Sequence, residues 1–177
     1  MKKKWYVVYT KAQSEKKVAA LLTKKKIENY CPFNRIAISG KGNNKKWSQE
    51  PLFPSFVFVY ITETEINTIR QISSIVNFIY WLNKPAVISD TEIENIHEFT
   101  RHYSNIQVEK ATVNPGGLTS FISDPHIDIN SNANLISLKN SNFKLLLPTL
   151  GCVMITEVEK STIDVFNYGY ERNKLVS

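Results

Sequence analysis

The sequence predicts an α+β fold for residues 1–103 and a small all-β unit for residues 112–170. In the first range, runs of aromatic and β-branched residues, which are typical of strands, alternate with segments whose apolar residues recur at helical spacing. In the second range no helical pattern appears, and glycine, proline and asparagine separate short apolar runs. The length of 177 residues suits one ordinary domain with a small second unit.

The composition indicates a folded protein of the cytoplasm. Hydrophobic residues make up 42% of the chain and charged residues 21%, and no apolar run is long enough to span a bilayer. The formal net charge of +6 suits a negatively charged partner without identifying one. Cys31 and Cys152 are the only cysteines and lie far apart, which argues against a disulfide framework or a zinc site.

The first strand and the first helix follow each other directly. Trp5–Tyr9 is aromatic and β-branched throughout, so it predicts a strand. Thr10 with Gln13 has the pattern of a capping box, and helical spacing continues to about Lys26. The other side of this helix carries most of the nearby lysines, so it is either a solvated basic face or a contact surface.

A second strand and a hairpin are predicted next. Tyr30–Ile38 has strand composition, although Pro32 makes part of it an edge or a bulge. Ser39–Lys46 is rich in glycine, asparagine and lysine, which predicts the tip of a hairpin. The second and third strands are therefore expected to be antiparallel neighbours.

The third strand lies in Pro51–Ile61, where two kinds of apolar residue alternate. Phe56 and Phe58 fall on one face with Tyr60, while the valines between them fall on the other. Such a strand is either buried on both faces or leaves an aromatic patch exposed for a partner. We expect the helices to cover the β-branched face and to leave the aromatic face free.

Two further capping boxes mark the last helices of this unit. Thr62 with Glu65 predicts a short helix, and Ser89 with Glu92 predicts a helix that continues to Tyr103. A strand is expected between them at Ile75–Leu82. The predicted order is β-α-β-β-α-β-α, which suggests an antiparallel sheet with helices packed on it.

Residues 104–111 are predicted to be a linker and residues 171–177 a frayed tail. Between them, strands are predicted at Phe143–Pro148, at Gly151–Thr156 and near Thr162–Phe166. Together with the glycine- and proline-rich start of this region they suggest a small β-barrel.

Nothing in the sequence predicts an enzyme or a cofactor. The three histidines, His97, His102 and His126, have no metal-binding spacing. No nucleophile motif or phosphate-binding glycine loop is present. We therefore expect no catalytic residues, no metal and no cofactor.

Three segments in this order resemble the NusG family of transcription elongation factors: Trp5–Lys11 (WYVVYTK), Glu50–Val59 (EPLFPSFVFV) and Pro85–Asp90 (PAVISD). The resemblance covers residues 4–103 and implies the family's N-terminal (NGN) α/β sandwich with an antiparallel sheet, followed by a small KOW-like β-barrel. The phrase EPLFP and Leu147–Gly151 (LPTLG) are most similar to the specialised UpxY and RfaH-like paralogues. The second domain departs from the KOW pattern, because Ser123–His126 stands where a glycine loop is usual.

The resemblance implies a site for RNA polymerase. In this family a hydrophobic hollow on the sheet binds the clamp helices of the largest catalytic subunit, and the matching residues here are Tyr9, Phe56, Phe58 and Trp81. The implied function is transcription antitermination that suppresses pausing and termination, in a polysaccharide operon by likeness to the UpxY group. The alternative is that all four side chains fill the domain's own core.

The resemblance also implies DNA near the first helix, at the upstream fork or the non-template strand. The candidate contacts are Lys11, Lys17, Lys24, Lys25, Lys41, Lys45 and Lys46. Because of the altered loop, neither Rho nor a ribosomal protein is carried over as a partner of the second domain. A different binding function remains open, that of an RNA- or ribosome-associated protein whose sheet aromatics stack bases.

Overall fold

The computed structural model describes residues 2–39, 45–110, 135–137 and 142–157. The chain divides into two compact units, Met1–Ser104 and Asn105–Ser177. Within the described ranges no helix combines the length and the apolar character that crossing a membrane requires.

The first unit alternates strands and helices. Its elements are β1 Lys4–Thr10, α1 Glu15–Lys24, β2 Glu28–Tyr30, β3 Phe33–Ser39, β4 Lys45–Pro51, β5 Phe56–Ile61, a 3-10 turn at Glu63–Glu65, α2 Ile66–Arg70, β6 Ile75–Phe78, β7 Tyr80–Trp81, β8 Lys84–Pro85, β9 Val87–Ile88 and α3 Asp90–His102. Two predicted strands are each divided. Pro32 separates β2 from β3 within the predicted strand Tyr30–Ile38. The predicted strand Ile75–Leu82 is divided into β6 and β7, and a left-handed turn at Leu82 and Asn83 joins β7 to β8 in a hairpin.

An antiparallel sheet holds this unit together, as the sequence predicts. The strand order is β2-β5-β1-β6, and β9 also pairs with β1. The central pair joins β1 to β5, with Val7 opposite Phe58. On the other side of β1, Val8 lies opposite Phe78 and Trp5 lies opposite Ile88. The predicted hairpin forms as a separate two-stranded sheet of β3 and β4. Its second strand, β4, was not predicted as a strand, and the predicted third strand, β5, pairs with β1 and β2 instead of β3.

The main core lies on the β-branched face, under α1 and α2. Its buried members are Tyr6, Val8, Val18, Leu22, Val57, Val59, Ile61, Ile66, Ile69, Ile75 and Phe78. The expectation that helices cover this face is confirmed.

The predicted capping box at the start of α1 is wrong. Thr10 is the last residue of β1, and its N–H donates to the Ser55 carbonyl oxygen at 2.7 Å. The helix instead begins after Ser14, following Gln13 with a left-handed φ of 59°. Sheet pairing holds Thr10 in the strand conformation, so tertiary contacts decide where α1 starts.

The other two capping boxes are confirmed. The Glu65 carboxylate accepts hydrogen bonds from the N–H and the hydroxyl of Thr62, both at 2.8 Å. At α3, Ser89 Oγ accepts from the Glu92 N–H at 3.1 Å. Each box satisfies amide donors that the first turn of a helix leaves without partners.

The second unit contains a four-stranded antiparallel sheet. Its strands are β10 Gln107–Lys110, β11 Leu135–Ser137, β12 Asn142–Leu147 and β13 Cys152–Glu157, in the order β10-β13-β12-β11. The strands predicted at Phe143–Pro148 and Gly151–Thr156 are confirmed as β12 and β13. In the turn between them, Gly151 has a φ of 61° and donates its N–H to the Pro148 carbonyl oxygen at 3.2 Å.

Half of the predicted linker at residues 104–111 is a strand. Gln107–Lys110 forms an edge strand on β13, with Val108 opposite Met154. All four of its side chains are exposed, so the sequence carries no burial pattern there, and main-chain pairing alone forms the strand. The predicted strand near Thr162–Phe166, the changed loop Ser123–His126 and the tail 171–177 lie outside the described residues.

Candidate functional site: the aromatic face of the sheet

One face of the first sheet is lined almost wholly by aromatic side chains, and we call it the aromatic face. It comprises Trp5, Val7 and Tyr9 of β1, Tyr30 of β2, and Phe56, Phe58 and Tyr60 of β5. These residues share a face because strand positions two apart point to the same side, and opposite residues of paired strands do so too.

Helix α3 covers one end of the aromatic face. The Tyr30 hydroxyl lies 3.2 Å from Thr100 Oγ1, and its ring lies 5.8 Å from the His97 ring. Beside this contact a shallow depression of about 440 Å³ is lined by Trp5, Tyr30 and Ile93, together with the acidic residues Asp90, Glu94 and Glu98 and with His97. The expectation that all helices pack on the β-branched face is therefore wrong, because the sheet has helices on both sides.

Phe58 belongs to the covered part of the aromatic face. Its side chain is fully buried, with 0% exposure. Its ring stacks on Tyr30 at 6.2 Å between centroids and meets Phe53 edge-on at 5.8 Å. Burial also raises the pKa of the Tyr30 phenol above its usual range. The structure therefore places Phe58 in the domain's own core.

Tyr9 and Phe56 lie opposite each other at the end of the β1–β5 pair away from Trp5, and they form what we call the open aromatic end. Tyr9 is 42% exposed and Phe56 is partly exposed. Their rings meet edge to face, 6.0 Å apart at 74°. Edge-to-face packing fixes both rings while it leaves apolar surface free for a partner.

A buried glutamate in α1 holds the turn from which Phe56 emerges. Glu15 is buried, and its Oε1 accepts the N–H of Ser55 at 2.6 Å. Ser55 has a left-handed φ of 66°, which is costly for a residue with a side chain, and its carbonyl oxygen is bound by Thr10. The sequence analysis missed this role. The available signal was that Glu15 stands at helical spacing from the buried Val18.

Trp81 is far more exposed, at 72%, than the other three predicted polymerase contacts. It lies in the β7–β8 hairpin, opposite Lys84, and not on the aromatic face. The hairpin starts beside the centre of β1, because the Ile79 N–H donates to the Val7 carbonyl oxygen at 2.9 Å. Among the described residues no ring contact joins Trp81 to Tyr9 or Phe56.

The predicted basic residues are exposed wherever the structure describes them. Exposed positions are Lys11, Lys17, Lys24, Lys25 and Lys46. Lys17 and Lys24 are two turns apart on one side of α1. Within the described part of the chain no ion pair engages any of these five, so their charges are free to meet a partner. Lys41 and the side chain of Lys45 lie outside the described residues.

Within the described ranges, neither a reactive Cys31 thiol nor a metal-binding group of side chains is found. Burial, with the charge of Glu15 as a smaller cause, raises the pKa of the Cys31 thiol to about 11. A thiol with such a pKa stays protonated and unreactive at neutral pH. Across the same residues, no group of three or more His, Cys, Asp and Glu side chains is arranged to hold a metal ion.

Comparison with known proteins points to one family. Residues 3–97, more than half of the chain, match the family model described as "Transcription termination factor nusG". The transcription termination/antitermination protein NusG of Buchnera aphidicola is 24% identical over 161 residues, which cover 85% of this chain and 89% of that protein. Its counterpart from Escherichia coli K12 is 23% identical over 175 residues, covering 92% and 96%.

The chain also has a partial likeness to a solved structure. A structure of NusG from Thermotoga maritima ("Domain interaction in Thermotoga maritima NusG") covers 90% of this chain and 94% of its own. The TM-score is 0.44 and the sequence identity is 17%.

Proposed function

The chain belongs to the NusG family, and on that premise we propose that it is a transcription termination/antitermination factor that acts by binding RNA polymerase. The names of its relatives support the general function. The matched residues 3–97 fall within the first compact unit, so polymerase binding is assigned to that unit. The protein works as a binding factor in the cytoplasm, without catalysis or a cofactor.

The clamp helices of RNA polymerase bind at the open aromatic end. The observation that supports this most is the contrast within one face: Tyr30, which contacts α3, and Phe53 enclose Phe58, whereas Tyr9 and Phe56 remain accessible side by side. Exposed, rigidly packed aromatic rings are the usual anchors of protein interfaces. Trp81 is a further contact, reached from the β7–β8 hairpin rather than from the sheet.

Phe58 has a supporting role in this proposal. It lies next to Phe56 on the same face of β5, but its own ring is enclosed by Tyr30 and Phe53. Phe58 therefore keeps the face rigid under the partner and makes no direct contact with it. A rigid face loses little side-chain entropy on binding.

Binding would act by shifting the population of polymerase states. A factor that binds better when the clamp is closed around DNA stabilises that state by its difference in affinity. Pausing and termination, which favour the opened arrangement, would decrease. The specialised antitermination role, and a polysaccharide operon as its target, are supported by the EPLFP and LPTLG segments.

Lysines near α1 would add contacts to upstream or non-template DNA. Lys11, Lys17, Lys24 and Lys25 are exposed and, within the described residues, unpaired, with Lys46 on the hairpin. Lys41 and Lys45 extend this set by sequence. Contacts of this kind strengthen binding in a salt-dependent way without reading the sequence.

The test of the interface is a binding measurement with isolated clamp helices. Tyr9→Ala combined with Phe56→Ala should weaken binding by about 2 kcal/mol or more, roughly thirtyfold. Trp47→Ala removes a similarly exposed aromatic ring from a different surface and is the matched control. Unchanged binding by the double variant, with its fold intact, would refute this site.

The antitermination claim needs a separate measurement. In a purified transcription system, read-through of a terminator should rise when the protein is added and should not rise with the double variant. An unchanged read-through fraction with wild-type protein would count against antitermination even if clamp binding is observed.

The alternative is an RNA- or ribosome-associated protein whose sheet aromatics stack bases. The acidic residues Asp90, Glu94 and Glu98 border the depression beside Trp5 and Tyr30, so phosphates at that end would meet negative charge. This disfavours nucleic acid on the aromatic face. Clamp binding that persists in high salt supports the apolar interface, whereas loss of all binding with salt supports the alternative.

A further inference from the structure

We propose that the first unit binds a free α-amino acid with an apolar side chain, in a pocket between the start of α1 and the turn that leads into β5. Glu15 holds the ammonium group of the ligand and Lys16 holds its carboxylate. The inference goes beyond the proposed function, because it involves neither the aromatic face nor nucleic acid.

The pocket has a size typical of sites for small molecules. Its volume is about 580 Å³, and such sites usually measure roughly 300–1,000 Å³. Three segments that are distant in sequence form it: the start of α1, the end of β4 and the turn before β5. Because these segments belong to the folded unit, the pocket exists before a ligand binds.

Glu15 forms the floor of the pocket. It is 4% exposed, and of the described residues that line the pocket it alone is buried. Its Oε1 accepts the N–H of Ser55 at 2.6 Å, whereas no hydrogen bond within the described residues engages Oε2. Oε2 is not among the fully enclosed polar atoms that lack a partner in this part of the chain, so it reaches the space of the pocket.

The charge of Glu15 has no counter-ion in the described part of the chain, since no ion pair there engages it. Its place at the start of α1 and the Ser55 N–H stabilise the carboxylate in part. Buried charges in proteins are usually paired. A buried carboxylate that lines a pocket without a cation therefore indicates a cationic group on the ligand.

Lys16 brings the opposite charge to the same pocket. Its Nζ lies 4.8 Å from the centre of the Phe33 ring, a cation–π contact that restricts where the ammonium group can move. The side chain is exposed, and within the described ranges no ion pair engages it. A carboxylate on the ligand would pair with this charge.

The two charges select the class of ligand. A simple anion would be repelled by Glu15, and a simple cation would be repelled by Lys16. An α-amino acid carries an ammonium group and a carboxylate on one carbon atom, so it offers a partner to both residues at once.

The rest of the wall suits an apolar side chain. Ala12, Pro51 and Pro54 line the pocket with hydrocarbon groups. The proline rings have a fixed backbone conformation, so this part of the wall is already shaped for the ligand.

Glu50 also borders the pocket, but its side chain belongs to a different surface. It lies opposite Asn34, whereas Pro51 lies opposite Phe33, so Glu50 falls on the side of the hairpin away from the Phe33 ring and Lys16. Glu15 is therefore the carboxylate that receives the ammonium group.

The test is isothermal titration of the full chain with L-leucine and with two derivatives that each lack one charge. L-leucinamide keeps the ammonium group, and N-acetyl-L-leucine keeps the carboxylate. Wild type should bind L-leucine, and each derivative should bind roughly tenfold more weakly or worse.

The charged residues are tested by substitutions that preserve the fold. Glu15→Gln keeps an acceptor for the Ser55 N–H and removes the charge, so it should bind L-leucine roughly tenfold more weakly or worse while its circular dichroism stays that of wild type. Lys16→Met should remove the preference for L-leucine over L-leucinamide. A purely structural role of Lys16 would leave that preference unchanged.

A matched pair of variants tests the location. Ala12→Leu fills the pocket and should abolish binding. Ala20→Leu makes the same change at an exposed position of α1 that does not line the pocket, and it should bind like wild type.

Any of three results would overturn the proposal: no binding of L-leucine by wild type at about 10 mM, equal binding of L-leucine and its two derivatives, or wild-type affinity in Glu15→Gln. Tyr9, Phe56 and polymerase take no part in this experiment, so such a failure leaves the clamp-helix interface standing. Failure of clamp binding in the earlier experiment likewise leaves this pocket standing.

Discussion

Phe56 and Phe58 are two residues apart on one face of β5, and we expect their substitution to have opposite consequences. Phe58→Ala should destabilise the first unit strongly, because the ring is fully buried. Removing a buried phenylalanine costs about 3–5 kcal/mol, and the contacts with Tyr30 and Phe53 place Phe58 at the upper end of that range. Phe56→Ala should cost less, since Phe56 is partly exposed and has one ring neighbour, Tyr9.

The two variants are compared by urea denaturation and by clamp-helix binding at a temperature at which both are folded. Phe58→Ala should lower the unfolding free energy while the remaining folded protein still binds. Phe56→Ala should stay folded and bind weakly. The reasoning is refuted if Phe58→Ala loses less than about 1 kcal/mol of stability, or if folded Phe58→Ala binds as poorly as Phe56→Ala.

Three further predictions concern residues that support the site. Glu15→Ala should destabilise the unit by about 2 kcal/mol, because it removes a charge-assisted hydrogen bond to the Ser55 N–H, whereas Glu15→Gln keeps an acceptor and should cost less in urea denaturation. The Cys31 thiol, whose pKa burial raises to about 11, should react with iodoacetamide far more slowly in the native protein than in the unfolded one at mildly alkaline pH, as mass spectrometry of its peptide would report. The pKa of Glu65 is lowered, first by the backbone hydrogen bond from Thr62, so its stabilising effect is present above the usual glutamate pKa and is lost as pH falls through the lowered value. The difference in unfolding free energy between wild type and Glu65→Gln should accordingly shrink with falling pH.

Each of these has an opposing result. Equal stabilities of wild type and Glu15→Ala would mean that the Ser55 turn is held by other contacts. Rapid alkylation of native Cys31 would mean that the thiol is accessible and ionised. A constant difference for Glu65→Gln across the pH range would mean that the capping box does not depend on the glutamate charge.

Structural features whose physical cause lies within a few neighbouring residues could be predicted from the sequence. The capping boxes at Thr62 and Ser89 need only residues three apart, so they were recognised from sequence alone. Thr10 and Gln13 show the same spacing, but pairing of Thr10 within the sheet overrides it. The edge strand Gln107–Lys110 was missed because its pairing involves the main chain of β13 and leaves no apolar pattern in its own residues.

The sequence by itself determined the class of fold, the antiparallel sheet and the assignment of Phe56 and Phe58 to one aromatic face. These follow from the two-residue period of a strand, which any chain with this alternation must obey. Only the tertiary structure decided which of the two rings is accessible. Helix α3 is joined to the sheet by a contact between Tyr30 and Thr100, which are 70 positions apart. No local sequence pattern indicates which part of the sheet such a distant contact will cover. Tyr30, held against α3, and Phe53 enclose Phe58, whereas Phe56 stays partly exposed beside Tyr9.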